Sequence, residues 1–162
     1  MRGVKRRIAL QRFLCGCLLV SVDDVDRLLW KKALELTGRE RAPRCCQLNY
    51  ATGHVVAGES QLRNAVMGCK VAFVMFFGKT CPYCQMFDPI FRQVGERYRD
   101  VANFVKADVE QFYHIAAALG VMGTPATVAF VEGRPVEVAP GFMTAPQFKH
   151  FVESVLAYAG CR

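Results

Sequence analysis

The sequence predicts an α/β domain in which a mixed central β-sheet is flanked by helices on both faces. From about residue 47 onward, short apolar runs of strand length alternate with amphipathic stretches of helix length. The run 70–77 is apolar almost throughout and ends at Gly78, which is typical of a strand buried on both faces. A strand–helix–strand order favours parallel pairing, whereas the turn Glu132-Gly133-Arg134 predicts an antiparallel hairpin. Together these observations predict the mixed sheet.

Each element has its own local signal. Pro82 favours the first turn of a helix, Gly120 favours a helix end, and Thr144 with Gln147 forms a capping box. The predicted strands cover residues 54–57, 70–77, 103–107, 126–131 and 136–138. The predicted helices begin near Glu59 (carrying Leu62, Val66 and Met67) and cover residues 82–98, 110–119 and 145–159.

The chain divides into three segments. Residues 1–22 combine a basic start with an apolar run, which is typical of a signal peptide or an N-terminal membrane anchor. Cys17 lies in a degenerate lipoprotein-like motif, and a short buried helix is the alternative interpretation. Residues 23–46 are predicted to form a helix and a charged linker that contains Pro43. Residues 47–162 form the predicted main domain.

The positive charge is concentrated at the N-terminus. The chain of 162 residues has a net charge of +7, and five basic residues with no acidic one lie in the first twelve positions. The rest of the chain is therefore close to neutral in charge. It also contains the apolar residues that can form a core. A nucleic-acid-binding domain usually carries a basic face, so nucleic acid is not an expected partner.

The motif Thr80-Cys81-Pro82-Tyr83-Cys84 lies where a predicted buried strand meets a predicted helix. Free amides and the helix dipole at a helix N-terminus stabilise a thiolate, so Cys81 is the candidate nucleophile. Cys84 is then the candidate resolving thiol, which attacks the mixed disulfide. Pro82 stiffens the active-site loop, which also contains Tyr83.

A zinc site is the alternative interpretation of the two cysteines. Zinc usually needs a second pair of ligands. Cys45 and Cys46 are adjacent rather than spaced, and we expect His114 to be an ordinary helix residue on a partly buried surface. No metal and no cofactor are therefore expected.

A second motif, Val121-Met122-Gly123-Thr124-Pro125-Ala126, opens a strand about forty residues later. With the cysteine motif and with Val105-Lys106-Ala107-Asp108, it makes residues 55–159 resemble the thioredoxin superfamily, which implies a thioredoxin-like fold. In that family the proline matching Pro125 is cis and packs beside the cysteines. The residue before it, here Thr124, offers backbone hydrogen bonds to an extended substrate.

The resemblance also shows differences from ordinary thioredoxins. Cys-Pro-Tyr-Cys is typical of glutaredoxins, whereas Gly-Thr-Pro and the C-terminal elements look like exported bacterial thioredoxin-like proteins. Met75 occupies the position where thioredoxins usually have a buried Asp that assists proton transfer to the second cysteine, and Thr80 replaces a Trp. Proton transfer at Cys84 would then need water or another group, such as Lys79 or Lys106.

The other cysteines leave several alternatives open. In one alternative Cys45 or Cys46 pairs with Cys69 or Cys161, and in another they relay electrons to the active site. The simpler interpretation makes Cys69 a small buried apolar residue and Cys161 a frayed terminal thiol.

Three functions are compatible with these residues. The first is an exported, periplasmic or membrane-anchored thiol–disulfide oxidoreductase of the reductase or isomerase type. Its partners would be protein disulfides and a redox protein that reduces or oxidises Cys81–Cys84. The second is a cytoplasmic glutaredoxin-like or thioredoxin-like enzyme, and the third is a non-catalytic binding or metal-binding module.

Overall fold

The computed structural model describes residues 45–161, which form a five-stranded sheet and four helices. The strands are β1 (His54–Val55), β2 (Val71–Phe77), β3 (Ala102–Asp108), β4 (Ala126–Val131) and β5 (Arg134–Pro140). The helices are α1 (Glu59–Gly68), α2 (Pro82–Tyr98), α3 (Tyr113–Ala118) and α4 (Ala145–Ala159). The predicted signal or anchor and the predicted helix before residue 39 lie outside the described residues.

The sheet has the strand order β1-β3-β2-β4-β5 and is mixed, as predicted. The β1–β3 and β2–β3 pairs are parallel, whereas the β2–β4 and β4–β5 pairs are antiparallel. The central strand β2 therefore lies between β3 and β4, and its side chains are buried on both faces of the sheet, which explains its continuous apolar sequence.

Two hydrophobic cores cover the two faces of the sheet. On one face Phe73 and Met75 pack with aromatic residues of α2 and α4, among them Phe87 and Phe148. On the other face Val74 and Phe76 pack with side chains from the α1 and α3 regions. Because successive side chains of a strand point to opposite faces, β2 contributes to both cores. The prediction of helices on both faces is confirmed.

Several boundaries differ from the predicted ones. The helix expected from residue 110 begins at Tyr113. Asp108 Oδ1 accepts a hydrogen bond from the Glu110 amide, and the Asp108 carbonyl oxygen accepts one from the Phe112 amide. These two bonds hold residues 108–112 in a turn. The strand expected over residues 54–57 ends at Val55, and the Ala57 amide donates to the Gln61 side chain at 2.9 Å. Helix α1 begins at Glu59, as predicted, and has Gly58 as its N-cap.

Four cysteines outside the active-site motif form two disulfides, Cys45–Cys161 and Cys46–Cys69. Pairing was one of the predicted alternatives. The alternative in which Cys161 is a frayed thiol is wrong, because this residue is buried and bonded. These two bonds also link Cys45 and Cys46, which were assigned to the linker, to the folded domain.

Candidate active site

The two cysteines of the motif lie at the first turn of α2, directly after β2 and a short loop. Cys81 is the N-cap residue, with an extended backbone, and Pro82 follows it at the start of the helix. The Cys84 amide donates a hydrogen bond to Cys81 Sγ at 3.1 Å. Cys81 and Cys84 are joined in a disulfide, so the structure describes the oxidised form. Once Cys81 is reduced, this amide and the helix N-terminus favour its thiolate.

The two sulfur-bearing residues differ in accessibility. Cys81 is half-buried, whereas Cys84 is 4% exposed. Pro82 and Tyr83, which separate them, are exposed on the loop. An incoming disulfide can therefore reach Cys81 but not Cys84.

The structure brings Thr124 and Pro125 next to the cysteines. Cys81 Sγ lies 3.5 Å from the Thr124 carbonyl oxygen, and the Thr124–Pro125 peptide bond is cis. Pro125 is buried and Thr124 is half-buried. Met122, two residues before Thr124 in the chain, is 96% exposed. The two predicted motifs thus meet at one site.

A cavity of about 330 Å³ lies on the inner side of this site. Its lining includes Met75, Cys84, Asp88 and Lys106. Met75 pairs with Lys106 on β3 and with Thr127 on β4 in the sheet register. The position at which thioredoxins usually have a carboxylate is therefore apolar but lies between two polar side chains.

Asp88 is the carboxylate of this cavity, and it was not among the predicted site residues. Asp88 Oδ1 accepts from Lys106 Nζ at 2.6 Å, and Oδ2 accepts from Arg92 Nε at 2.8 Å. Burial alone would raise the pKa of Asp88, but the bonds from Lys106 and Arg92 hold this pKa below its ordinary value. A signal was present in the sequence, because Asp88 follows Cys84 by one helical turn and lies on the same face of the helix.

Lys79 is the second ammonium group at the cavity wall. Its Nζ lies 3.2 Å from Glu110 Oε2 and 3.3 Å from Asp108 Oδ2. The hydrogen bonds to Glu110 and Asp108 raise the pKa of Lys79 above its ordinary value. Lys79 is thus an exposed cation held by two acidic partners, while Lys106 is 8% exposed.

His114 lies on the exposed side of α3, next to Tyr113. The expectation of a partly buried surface there is wrong, because the buried face of this short helix is formed by Ala116. Within residues 45–161, no group of three or more His, Cys, Asp or Glu side chains is placed to hold a metal ion. In the same part of the chain, no helix is long and apolar enough to cross a membrane.

A mixed five-stranded sheet with a Cys-X-X-Cys disulfide at a strand–helix junction defines the class of thioredoxin-fold proteins. The thioredoxin family model matches residues 54–154. Thioredoxin from Borreliella burgdorferi is 29% identical over 93 residues, which cover 56% of this chain and 78% of that protein. Thioredoxin-1 from Schizosaccharomyces pombe is 34% identical over 86 residues, which cover 53% of this chain and 82% of that protein.

Solved structures agree with these sequence matches. A mutant thioredoxin from Halobacterium salinarum superposes with a TM-score of 0.61 at 28% identity, covering 67% of this chain and 94% of that one. The chain therefore belongs to the thioredoxin family.

Proposed function

We propose that the chain is a thiol–disulfide oxidoreductase of the reductase or isomerase type, which acts on protein disulfides through Cys81 and Cys84. The observation that carries this proposal is the asymmetry of the pair: Cys81 caps a helix and is accessible, while Cys84 is shielded behind it. Membership of the thioredoxin family supports the same chemistry.

The reaction has two exchange steps. The Cys81 thiolate attacks one sulfur of a client disulfide, a Cys81–client disulfide forms, and the other client sulfur leaves as a thiolate. Cys84 then loses its proton and attacks Cys81 Sγ, so that the second client sulfur leaves with the bonding electron pair. Both client sulfurs take up protons from solvent. The client disulfide is reduced by two electrons, and Cys81–Cys84 is oxidised by two.

Thr124 is the proposed contact for the client backbone. Its carbonyl oxygen is close to Cys81 Sγ, and its half-buried position leaves room for an extended segment. Strand-like hydrogen bonds between the Thr124 backbone and the client would hold the client disulfide in line with Cys81. Pro125, which follows it, is buried.

Trapping tests this function. In Cys84→Ser the second step is blocked, so mixed disulfides between Cys81 and client proteins should accumulate and disappear on reduction. Cys81→Ser is the matched control and should trap nothing. If Cys84→Ser traps no protein and the unchanged chain reduces no model disulfide, the proposal is wrong, and a binding module becomes the better interpretation.

We further propose that the protein works outside the reducing cytoplasm, either exported or tethered to a membrane. Two disulfides far from the active site, Cys45–Cys161 and Cys46–Cys69, support this location, because such bonds persist in oxidising compartments. The basic, apolar segment 1–22 supports it as well.

Cell fractionation with N-terminal sequencing separates this location from the cytoplasmic alternative. We expect the protein outside the cytoplasm, with Cys45, Cys46, Cys69 and Cys161 resistant to alkylation before reduction. A cytoplasmic protein that retains Met1 and has these four thiols free would contradict the proposal.

A further inference from the structure

The second exchange step requires a proton to leave Cys84, and the surroundings of this residue are unusual. Cys84 is 4% exposed, so bulk water reaches its thiol poorly. Burial disfavours a thiolate. Met75, which lines the same cavity as Cys84, can neither accept a proton nor stabilise a charge.

The cavity next to Cys84 contains one buried cation, Lys106. Lys106 is 8% exposed, and its Nζ lies 5.5 Å from the centre of the Phe77 ring. One of its N–H groups donates to Asp88 Oδ1. An ammonium group has three N–H donors, so two more remain for other partners.

Asp88 itself is poorly suited to accept the proton. Its two carboxylate oxygens accept from Lys106 and Arg92, respectively. These cations stabilise the ionised form and make the carboxylate a weak base. Its contribution is to hold the Lys106 ammonium at the cavity that Cys84 also lines.

We propose that Lys106 stabilises the Cys84 thiolate during resolution and that Asp88 is the residue that positions Lys106. This inference rests on the proposed exchange reaction. The Cys84 proton passes to water in the cavity, the Cys84 thiolate forms a bond to Cys81 Sγ, and the client thiolate leaves. The positive charge of Lys106 thus assists deprotonation of the second cysteine, for which thioredoxins usually have a buried carboxylate.

Other charged groups near the cavity are less well placed. Lys79 lines the cavity too, but Asp108 and Glu110 hold its ammonium group. Arg92 contacts Asp88 and is exposed. On β4, the residue that pairs with Met75 is the uncharged Thr127.

A chromogenic aromatic disulfide, 5,5′-dithiobis(2-nitrobenzoate), separates the two steps when it is mixed in equal amount with the reduced protein. The first thiolate released reports attack by Cys81, and the second reports attack by Cys84. Absence of the first phase, or a second phase that persists in Cys84→Ser, would reject the exchange function itself. The pH profile of the second phase tests Lys106 independently.

In Lys106→Met we expect an unchanged first phase and a second phase about tenfold slower at pH 7, with its profile displaced by about one pH unit toward alkaline values. Lys106→Arg should restore the rate to within about threefold, since it keeps the positive charge. Asp88→Asn should cause a smaller displacement in the same direction, because a buried lysine without its carboxylate loses its proton more readily. Lys70→Met is the matched control, since it removes an ion-paired lysine at the far end of β2 and should change neither phase.

Three results would overturn the proposal. The first is an unshifted profile in Lys106→Met, including one that is slower by the same factor at every pH, as a merely structural role would give. The second is a displacement in Lys79→Met that Lys106→Met lacks. The third is a slow second phase in Asp88→Asn with a normal one in Lys106→Met, which would identify Asp88 as the proton acceptor. Urea midpoints of all variants establish that they fold.

Discussion

At the scale of single residues, the structure depends on a few buried polar side chains that have specific partners. Asn103 is fully buried in β3, and its side-chain amide donates to Leu48 O at 2.9 Å and to Ala65 O at 2.8 Å. Its Oδ1 accepts from the Tyr50 amide at 3.0 Å. One side chain therefore holds the segment before β1 and the helix α1 against the sheet.

Asn103→Ala should lower the free energy of unfolding by about 2–4 kcal/mol, because it leaves buried backbone groups without hydrogen-bond partners. Urea unfolding of the oxidised protein measures this change. Gln111→Ala is the control: its bond to Ala57 O is exposed, and the expected change is below about 0.5 kcal/mol. Equal effects of the two substitutions would contradict the role of Asn103.

Asp88 makes stability depend on pH. Its ordinary pKa of 3.8 is lowered in the folded chain by the bonds from Lys106 and Arg92, although burial opposes this. A lowered folded pKa contributes stability above the unfolded pKa, and this stability is lost as the pH falls through the folded value. Asp88→Asn should therefore destabilise the protein at pH 7, and its difference from the unchanged chain should shrink below pH 3.8. Urea titrations at several pH values measure the difference in unfolding free energy between Asp88→Asn and the unchanged chain. A difference that is constant with pH would contradict the role of the ionised Asp88.

At the scale of elements, local sequence signals predicted most of the strands and helices. The apolar run of β2, Pro82 at the start of α2 and the capping box before α4 each have a physical cause within a few residues. The start of α3 could not be predicted in this way, because the side chain of Asp108 and its carbonyl hold the preceding turn.

The site was predicted only in part for a similar reason. Cys81, Cys84, Thr124 and Pro125 belong to short motifs, so the sequence alone indicated them. The contact between Asp88 and Lys106 joins a helix to a strand 18 residues away, and it requires the packing of α2 on the sheet. The pairing of the four other cysteines likewise depends on contacts between segments that are 23 and 116 residues apart in the sequence.

The two structural disulfides should contribute unequally. Cys45–Cys161 spans a sequence separation of 116, and Cys46–Cys69 spans 23. By chain entropy, the longer loop contributes about 4–5 kcal/mol and the shorter one about 3 kcal/mol. Urea unfolding of the variant pairs Cys45→Ala with Cys161→Ala and Cys46→Ala with Cys69→Ala measures both losses. A larger loss from the shorter loop would contradict the entropic account.

Neither pair is placed to exchange with the active site. Cys69 precedes the start of β2 and Cys81 follows its end, and seven residues of strand span about 20 Å. The relay interpretation of the extra cysteines therefore has no direct contact to support it. Both variant pairs should keep the two-phase reaction with the chromogenic disulfide.

At the scale of the whole molecule, the active-site disulfide and the structural disulfide Cys46–Cys69 lie at opposite ends of β2. The carboxyl end of β2 presents Cys81 with Thr124 and Pro125, whereas its amino end has Cys69 and the bond to Cys46. One end thus carries the proposed site of exchange, and the other is cross-linked. This separation allows the active-site disulfide to open while the remaining cross-links hold the fold.

The equilibrium between Cys81–Cys84 and a glutathione redox buffer tests the proposed reductase or isomerase activity most directly. Alkylation of the reduced thiols followed by mass spectrometry measures the reduced fraction in each buffer, with Cys84→Ser as the control for a single thiol. We predict a two-electron transition at a potential between about −180 and −270 mV, the range of isomerases and reductases. A potential near about −120 mV, typical of a strong oxidant, or a pair that does not exchange with glutathione, would contradict the account.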